Sequence, residues 1–258
     1  MSVNTFSTFY TFPQTDDTNR FMPFSEGAGQ LNATQDIGAF TITETMGRVK
    51  TKMDAAGGQV YTVSLNRPTR LVTISAPGVF ELLVLTGTNA AASIYTNLGF
   101  TGADRTGASS YTGNIQAGSV FEPQFELQNY TSKNDFQKNV DPVVKISASG
   151  VPEVVRFGVS KFYEFNVGMI SNLSVGDGKI IKNNPTGHED AIAFMEFAVA
   201  KGPLEFMPNI ATPNAFDKVI LETTNVSDRG TDFKLIELLV QSLPGIYETG
   251  NLVFRVVG

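Results

Sequence analysis

Cysteine and tryptophan are missing from this chain of 258 residues, and histidine occurs once, at His188. The lack of cysteine removes disulfides, thiolate metal sites, iron–sulfur clusters and thiol nucleophiles together. It also agrees with folding in a reducing cytoplasm. One histidine cannot build a His-rich zinc site within a chain. Basic charge is short as well: 19 Lys and Arg face 25 Asp and Glu, leaving a net charge of −6. Dedicated nucleic-acid binding draws on a basic face that releases counterions, so none is expected. No window approaches the roughly 18 apolar residues of a membrane-crossing helix, so membrane insertion is not expected either. The opening MSVNTFSTFYTFPQTDD places no basic residue ahead of its apolar positions and does not resemble a secretory signal.

What remains is a globular composition, 41% hydrophobic and 17% charged, which is too apolar for disorder. Residues 1–36 are polar, with Phe6, Phe9, Tyr10, Phe12, Phe21 and Phe24 spaced along them, and read as an extended N-terminal arm. Those aromatics suit either docking on a partner or folding back onto the chain's own core. Residues 37–172 read as a β-sandwich domain. Within it, Arg48, Lys50 and Lys52 alternate with Val49, Thr51 and Met53, the pattern of a strand with a basic, edge-guarding face or a face that meets an acidic neighbour. Val60–Leu65 and Leu71–Ile74 alternate likewise, and Val79–Leu85 is apolar enough for a strand buried on both faces. Ala56-Gly57-Gly58, Asn66-Arg67-Pro68 and Pro77-Gly78 mark turns. Residues 88–118 form a glycine-rich loop too long for an ordinary hairpin connection. Phe121–Leu127 alternates, Ser132–Asp135 reads as the opening of a short helix, 143–148 and 153–157 pair as a hairpin, and Phe162–Ile170 is a strand.

Residues 173–258 read as a smaller α+β region. A helix is expected from Thr186 through Ala191, Met195 and Val199, stopping at Gly202. A second opens at Thr212-Pro213, a third spans Phe233, Ile236 and Val240, and the apolar stretch Asn251–Val257 closes as a strand. The fold class expected is mainly β: a β-sandwich, jelly-roll or Ig-like, with a C-terminal α+β region.

Groups able to make or break bonds are scarce. His188 lies in Thr186-Gly187-His188-Glu189-Asp190, at an expected helix start where an imidazolium is disfavoured, and is read as a first-turn solvent residue. No nucleophile elbow, P-loop, zinc-protease helix or EF-hand loop is present. Val175-Gly176-Asp177-Gly178-Lys179 has the composition of a nucleotide or calcium loop without the spacing, and is read as a hairpin turn. Carboxylates are the remaining route, as in glycosidases. Glu122, Glu126, Glu153 and Glu164 are candidates, but nothing pairs two of them. The Asn-x-Ser/Thr matches at Asn32, Asn129, Asn172 and Asn225 are short patterns expected by chance. No catalytic, cofactor-binding or metal-binding residue is assigned, and the chain is expected not to be an enzyme.

The stretch LGFTGADRTGASSYTG (98–113) is similar to a loop of the form LGFT-x-x-D-x-[ST]-G…SYT in virion proteins of tailed bacteriophages. PQFELQNYTSKNDFQKNVDPVVKISASGVPEVVRFG (123–158) resembles the segment that follows that loop in phage tail and baseplate proteins. LEFMPNIATPNAFDKVILETT (204–224) and GIYETGNLVFRVV (245–257) resemble their C-terminal region. The resemblance covers about residues 90–258 and implies a structural virion component, folded in the host bacterial cytoplasm and placed in the tail. Its implied partners are copies of itself in a cyclic homo-oligomer and neighbouring tail or baseplate proteins. The alternatives are a receptor- or carbohydrate-binding tail-tip module, a capsid-associated protein and a glycan hydrolase.

Overall fold

The computed structural model describes residues 8–121, 135–146, 152–165, 170–171, 194, 197–200, 202–208, 212, 214–221, 239–243, 246–249 and 252–257. The chain is mainly β. Among the described residues the strands are β1 (Thr8–Thr11), β2 (Phe21–Ser25), β3 (Gln30–Thr34), β4 (Thr62–Asn66), β5 (Leu71–Leu82), β6 (Arg105–Thr112), β7 (Ser119–Phe121), β8 (Asp135–Ile146), β9 (Pro152–Phe165), β10 (Ile170–Ser171), β11 (Leu204–Met207), β12 (Asp217–Leu221), β13 (Leu239–Leu243), β14 (Ile246–Thr249) and β15 (Leu252–Val256), and Ile42–Ala56 form the long helix α1. A seven-stranded antiparallel sheet runs β7-β1-β11-β12-β15-β9-β8, a five-stranded one runs β3-β2-β5-β4 with β6 on β5, and β10-β14-β13 form a small third sheet.

The layers follow from the two-residue period of strands. In β1, Phe9 faces one core while Tyr10 and Phe12 face another, and all three are buried. The same division runs through β11, where Leu204 and Phe206 join Phe9, and Met207 joins Tyr10. The first core is built chiefly by α1 and the five-stranded sheet, holds Phe24, Tyr61, Val72, Ile74, Phe80 and Tyr95, and is met from the seven-stranded sheet by Tyr10 and Met207. The second core covers the other face of the seven-stranded sheet, with Phe194 and Ala198 of a helical turn on Phe9, Phe206, Val219 and Phe254. Phe9 stands 4.6–5.0 Å, centroid to centroid, from Phe194, Phe206 and Phe254, the spacing at which tilted aromatic pairs attract.

Several expectations are corrected. Of the stretch read as an extended arm, residues 8–36 supply β1, β2 and β3, and of the two roles open to its aromatics Phe9, Tyr10, Phe12 and Phe24 take the second, folding back into the chain's own cores. The seven-stranded sheet draws strands from 1–36, 37–172 and 173–258, so those three segments share one structure. Pro77-Gly78 does not interrupt the chain between strands, because β5 continues through it while the β5–β6 ladder shifts register between Ser75 and Phe80. Beyond it Val79 and Leu85 are exposed while Phe80, Leu82 and Val84 are buried, so the run alternates rather than burying both faces. About a quarter of the expected 88–118 loop, Arg105–Thr112, is strand β6. Asp135 begins β8 instead of a helix. Thr212-Pro213 opens a turn, closed by the Ala215 N–H on the Thr212 carbonyl, and leads into β12. Val240 sits in β13, whereas Phe233 and Ile236 lie outside the described residues. The 143–157 hairpin and the closing strand are formed as expected.

The largest correction concerns Arg48, Lys50 and Lys52, which ride on α1 and not on a strand. Thr41 and Glu44 form a capping box: the Glu44 N–H donates to Thr41 Oγ1 (3.2 Å) and the Thr41 N–H to Glu44 Oε2 (3.0 Å). Ile42, Thr45, Met46, Val49 and Met53 then fall on one buried face at helical spacing. The helix ends where the Gly57 N–H reaches the Met53 carbonyl. The three cations point outward, Arg48 and Lys52 to Asp36 and Lys50 to Asp54. Exposed Gly47, mid-helix, offers a direct check, because a Cβ there meets nothing within 4 Å. Gly47→Ala is expected to stabilise the protein by about 0.5–1 kcal/mol in urea unfolding, as a helical glycine requires and a strand glycine does not.

Candidate functional site

The most deeply buried charges meet at the N-terminus of α1. Arg67, in the turn between β4 and β5, is 7% exposed, and Glu205 of β11 is fully buried. Arg67 Nη2 donates to Glu205 Oε2 at 2.7 Å and to Thr43 Oγ1 at 2.9 Å. Glu205 Oε1 accepts the Thr43 N–H at 2.9 Å, satisfying a backbone donor that the first helical turn leaves open. A carboxylate at this end also meets the positive pole of the helix dipole. The Arg67 guanidinium stacks 3.9 Å from the Phe216 ring centroid, and Tyr10 Oη donates to the Arg67 carbonyl at 3.2 Å. At the next residue of the same turn, Lys218 of β12 donates to Glu44 Oε1 at 2.6 Å. Burial alone would raise the Glu44 carboxyl, but Lys218 and the Thr41 N–H outweigh it and hold it below its ordinary value. Three buried polar atoms without a partner surround the same turn: Gln35 Oε1, Thr45 Oγ1 and Arg67 Nη1.

This cluster joins α1 and the β4–β5 turn to β11 and β12 of the seven-stranded sheet. Both carboxylates and both cations are already engaged. The arrangement ties α1 and the β4–β5 turn to the seven-stranded sheet. A shallow groove of about 380 Å3 on the outer side of α1 is lined by Asp36, Glu44, Gly47, Arg48, Thr51 and Lys52, with its charges already paired.

The motif segment 98–113 is fastened in the same manner. Asp104 accepts the N–H groups of Leu85 (2.7 Å) and Thr86 (3.3 Å) and the Thr86 hydroxyl. Burial pushes its carboxyl up, yet these bonds prevail and lower it below the usual range. Gly99 has φ +88°, and a Cβ there would lie 2.2 Å from the Ile115 carbonyl oxygen, so the position takes glycine alone. Leu98 and Phe100 are fully buried. Tyr111 is nearly so: its hydroxyl donates to the Phe80 carbonyl at 2.6 Å and accepts the Ala108 N–H at 2.8 Å. In the same core, where its ring meets Phe80, Tyr61 donates through Oη to Glu26 Oε1 at 2.8 Å, and burial followed by that carboxylate pushes the phenol far above its ordinary value.

Of the residues weighed for chemistry, His188, Glu122, Glu126 and the 175–179 turn lie outside the described residues, as do Asn129, Asn172 and Asn225. Asn32 is exposed on β3. Glu153 and Glu164 both stand on β9, eleven positions apart, or about 36 Å along an extended strand. A glycosidase pair needs its carboxyls within roughly 5–9.5 Å, so these two do not form one. Among the described residues no group of three His, Asp or Glu converges as metal ligands would, and no helix is long and apolar enough to cross a membrane. Sequence reading missed Arg67 and Glu205. The available signal was a carboxylate set inside the apolar Leu204-Glu205-Phe206-Met207 run.

Removing one partner of a buried pair strands the other charge. Glu205→Ala is therefore expected to cost about 3–5 kcal/mol in denaturant unfolding, while the double change Arg67→Met with Glu205→Leu costs less than the single one. Glu44 sets a pH dependence: its contribution is complete above the ordinary carboxylate value of about 4.3 and is lost as pH falls through its lower folded value. Glu44→Gln is expected to flatten the acid limb of the stability profile, read by thermal unfolding below about pH 4.5. Compared with known proteins, the chain matches no family model and no curated protein sequence.

Proposed function

We propose that this chain is a structural subunit of a tailed-phage virion, a tail or baseplate ring component that contacts copies of itself and neighbouring tail proteins and has no catalytic role. The observation that carries the reading is how its charges are used. Arg67, Glu205, Glu44, Lys218 and Asp104 each tie one segment of the chain to another. The output of such a chain is a shaped surface. The positions that carry the resemblance to phage virion proteins, Gly99, Phe100, Asp104 and Tyr111, support it further, because each has a fastening role. A sugar-binding tail tip built on the 106–114 segment is less well supported. Tyr111, its aromatic platform, is buried with its hydroxyl directed into the sheet.

Negative-stain images of the purified protein are expected to show rings, and mass spectrometry of purified parent particles a fixed copy number. A strict monomer that is also missing from the particles would overturn the proposal.

A further inference from the structure

Among the described residues, the unpartnered buried polar atoms gather on groups that touch the first turn of α1: Gln35 Oε1, Thr45 Oγ1 and Arg67 Nη1. Thr45 is fully buried, Gln35 is 1% exposed and Arg67 7%. A buried polar atom without a partner carries its full desolvation penalty, which lowers a folding equilibrium constant by about fivefold or more. Native proteins meet that penalty with a protein group or with ordered water.

The surrounding bonds fix what each atom can offer. The Gln35 backbone N–H donates to the Arg20 carbonyl at 2.8 Å, and its side-chain Nε2 donates to the Thr45 carbonyl at 3.4 Å. That second bond orients the amide, because turning it over would set two carbonyl oxygens against each other. Gln35 Oε1 is therefore an acceptor that still wants a donor. The Thr45 N–H is engaged with the Thr41 carbonyl at 2.8 Å, while its hydroxyl, able to donate and to accept, has no partner in the chain. Arg67 commits Nη2 to Glu205 and Thr43, which leaves Nη1 as a donor.

An amide acceptor, a hydroxyl and a cationic donor do not suit an ion. The guanidinium repels a metal cation, and the Gln35 carbonyl and the Glu205 carboxylate repel an anion. Water carries two donors and two acceptors in one small neutral molecule, and buried water typically makes about three hydrogen bonds to groups of this kind.

We propose that the first turn of α1 is a binding site for ordered internal water, with one molecule bridging Gln35 Oε1 and Thr45 Oγ1 and water also accepting from Arg67 Nη1. The bridging molecule donates to the Gln35 carbonyl and exchanges a hydrogen bond with the Thr45 hydroxyl. The residue that follows β3 is then tied to α1 by solvent as well as by its own amide.

A high-resolution crystal structure of the full chain tests this first, with water expected within about 3.2 Å of both Gln35 Oε1 and Thr45 Oγ1. Thr45→Val, which removes the hydroxyl and keeps the shape, adds a test of sign by urea unfolding. A hydroxyl that holds water contributes to folding, so its loss is expected to lower the equilibrium constant by about fivefold. A hydroxyl buried dry opposes folding, and its loss would raise that constant. Gln35→Met, alone and combined with Thr45→Val, completes a double-mutant cycle, in which a shared water makes the double change cost less than the sum of the single ones. A crystal structure without water at these atoms, a Thr45→Val chain that is more stable than the parent, or strictly additive changes would each overturn the site.

Discussion

The contact on which the architecture turns is the buried pair of Arg67 and Glu205 at the N-terminus of α1. It is one of few places where the two large sheets communicate through directed bonds instead of apolar area. Taking two charges out of water costs several kcal/mol per ion, and their attraction repays this only when the geometry and the remaining hydrogen bonds are good. Here Glu205 accepts both a guanidinium and a backbone N–H, and the guanidinium lies on an aromatic face. Such a pair adds little net stability over a well-packed apolar substitute. What it supplies is register, because apolar layers slide and rotate against each other at low cost while a bidentate carboxylate does not.

From that constraint the neighbouring features follow. The capping box starts α1 at Thr41, which places the Thr43 N–H where Glu205 can reach it. Lys218 and Glu44 repeat the linkage one strand further along the seven-stranded sheet. The β4–β5 turn that carries Arg67 is held to β1 through the Tyr10 hydroxyl.

How much of this was legible depended on period and range. β4, β15 and the β8–β9 hairpin declared themselves because alternation at a period of two is visible within five or six residues. Helix α1 was hidden by coincidence: Arg48 to Met53 alternates over six residues, and the longer spacing from Ile42 through Thr45, Met46, Val49 and Met53 emerges only over three turns. The Thr41–Glu44 capping box was the local signal that separated the two. β6 escaped notice because Gly107, Ala108, Ser109 and Ser110 carry almost no hydrophobic contrast, and its strand state comes from pairing with β5. The Arg67–Glu205 pair spans 138 positions, and no local pattern reports a contact of that range.

That separation matters while the chain is being made. β1 is made well before its partners, which are β7, over a hundred residues later, and β11, nearly two hundred later. Until residue 205 has been translated, Arg67 has no counterion and β1 no inner neighbour. Loop closure over such distances is slow. An interrupted chain would therefore present an unpaired cation and a bare strand edge, the kind of surface that chaperones and proteases act on. Closure of the seven-stranded sheet thus waits on the arrival of β11, and the Glu205 carboxylate it carries marks the point at which Arg67 and β1 both gain their partners.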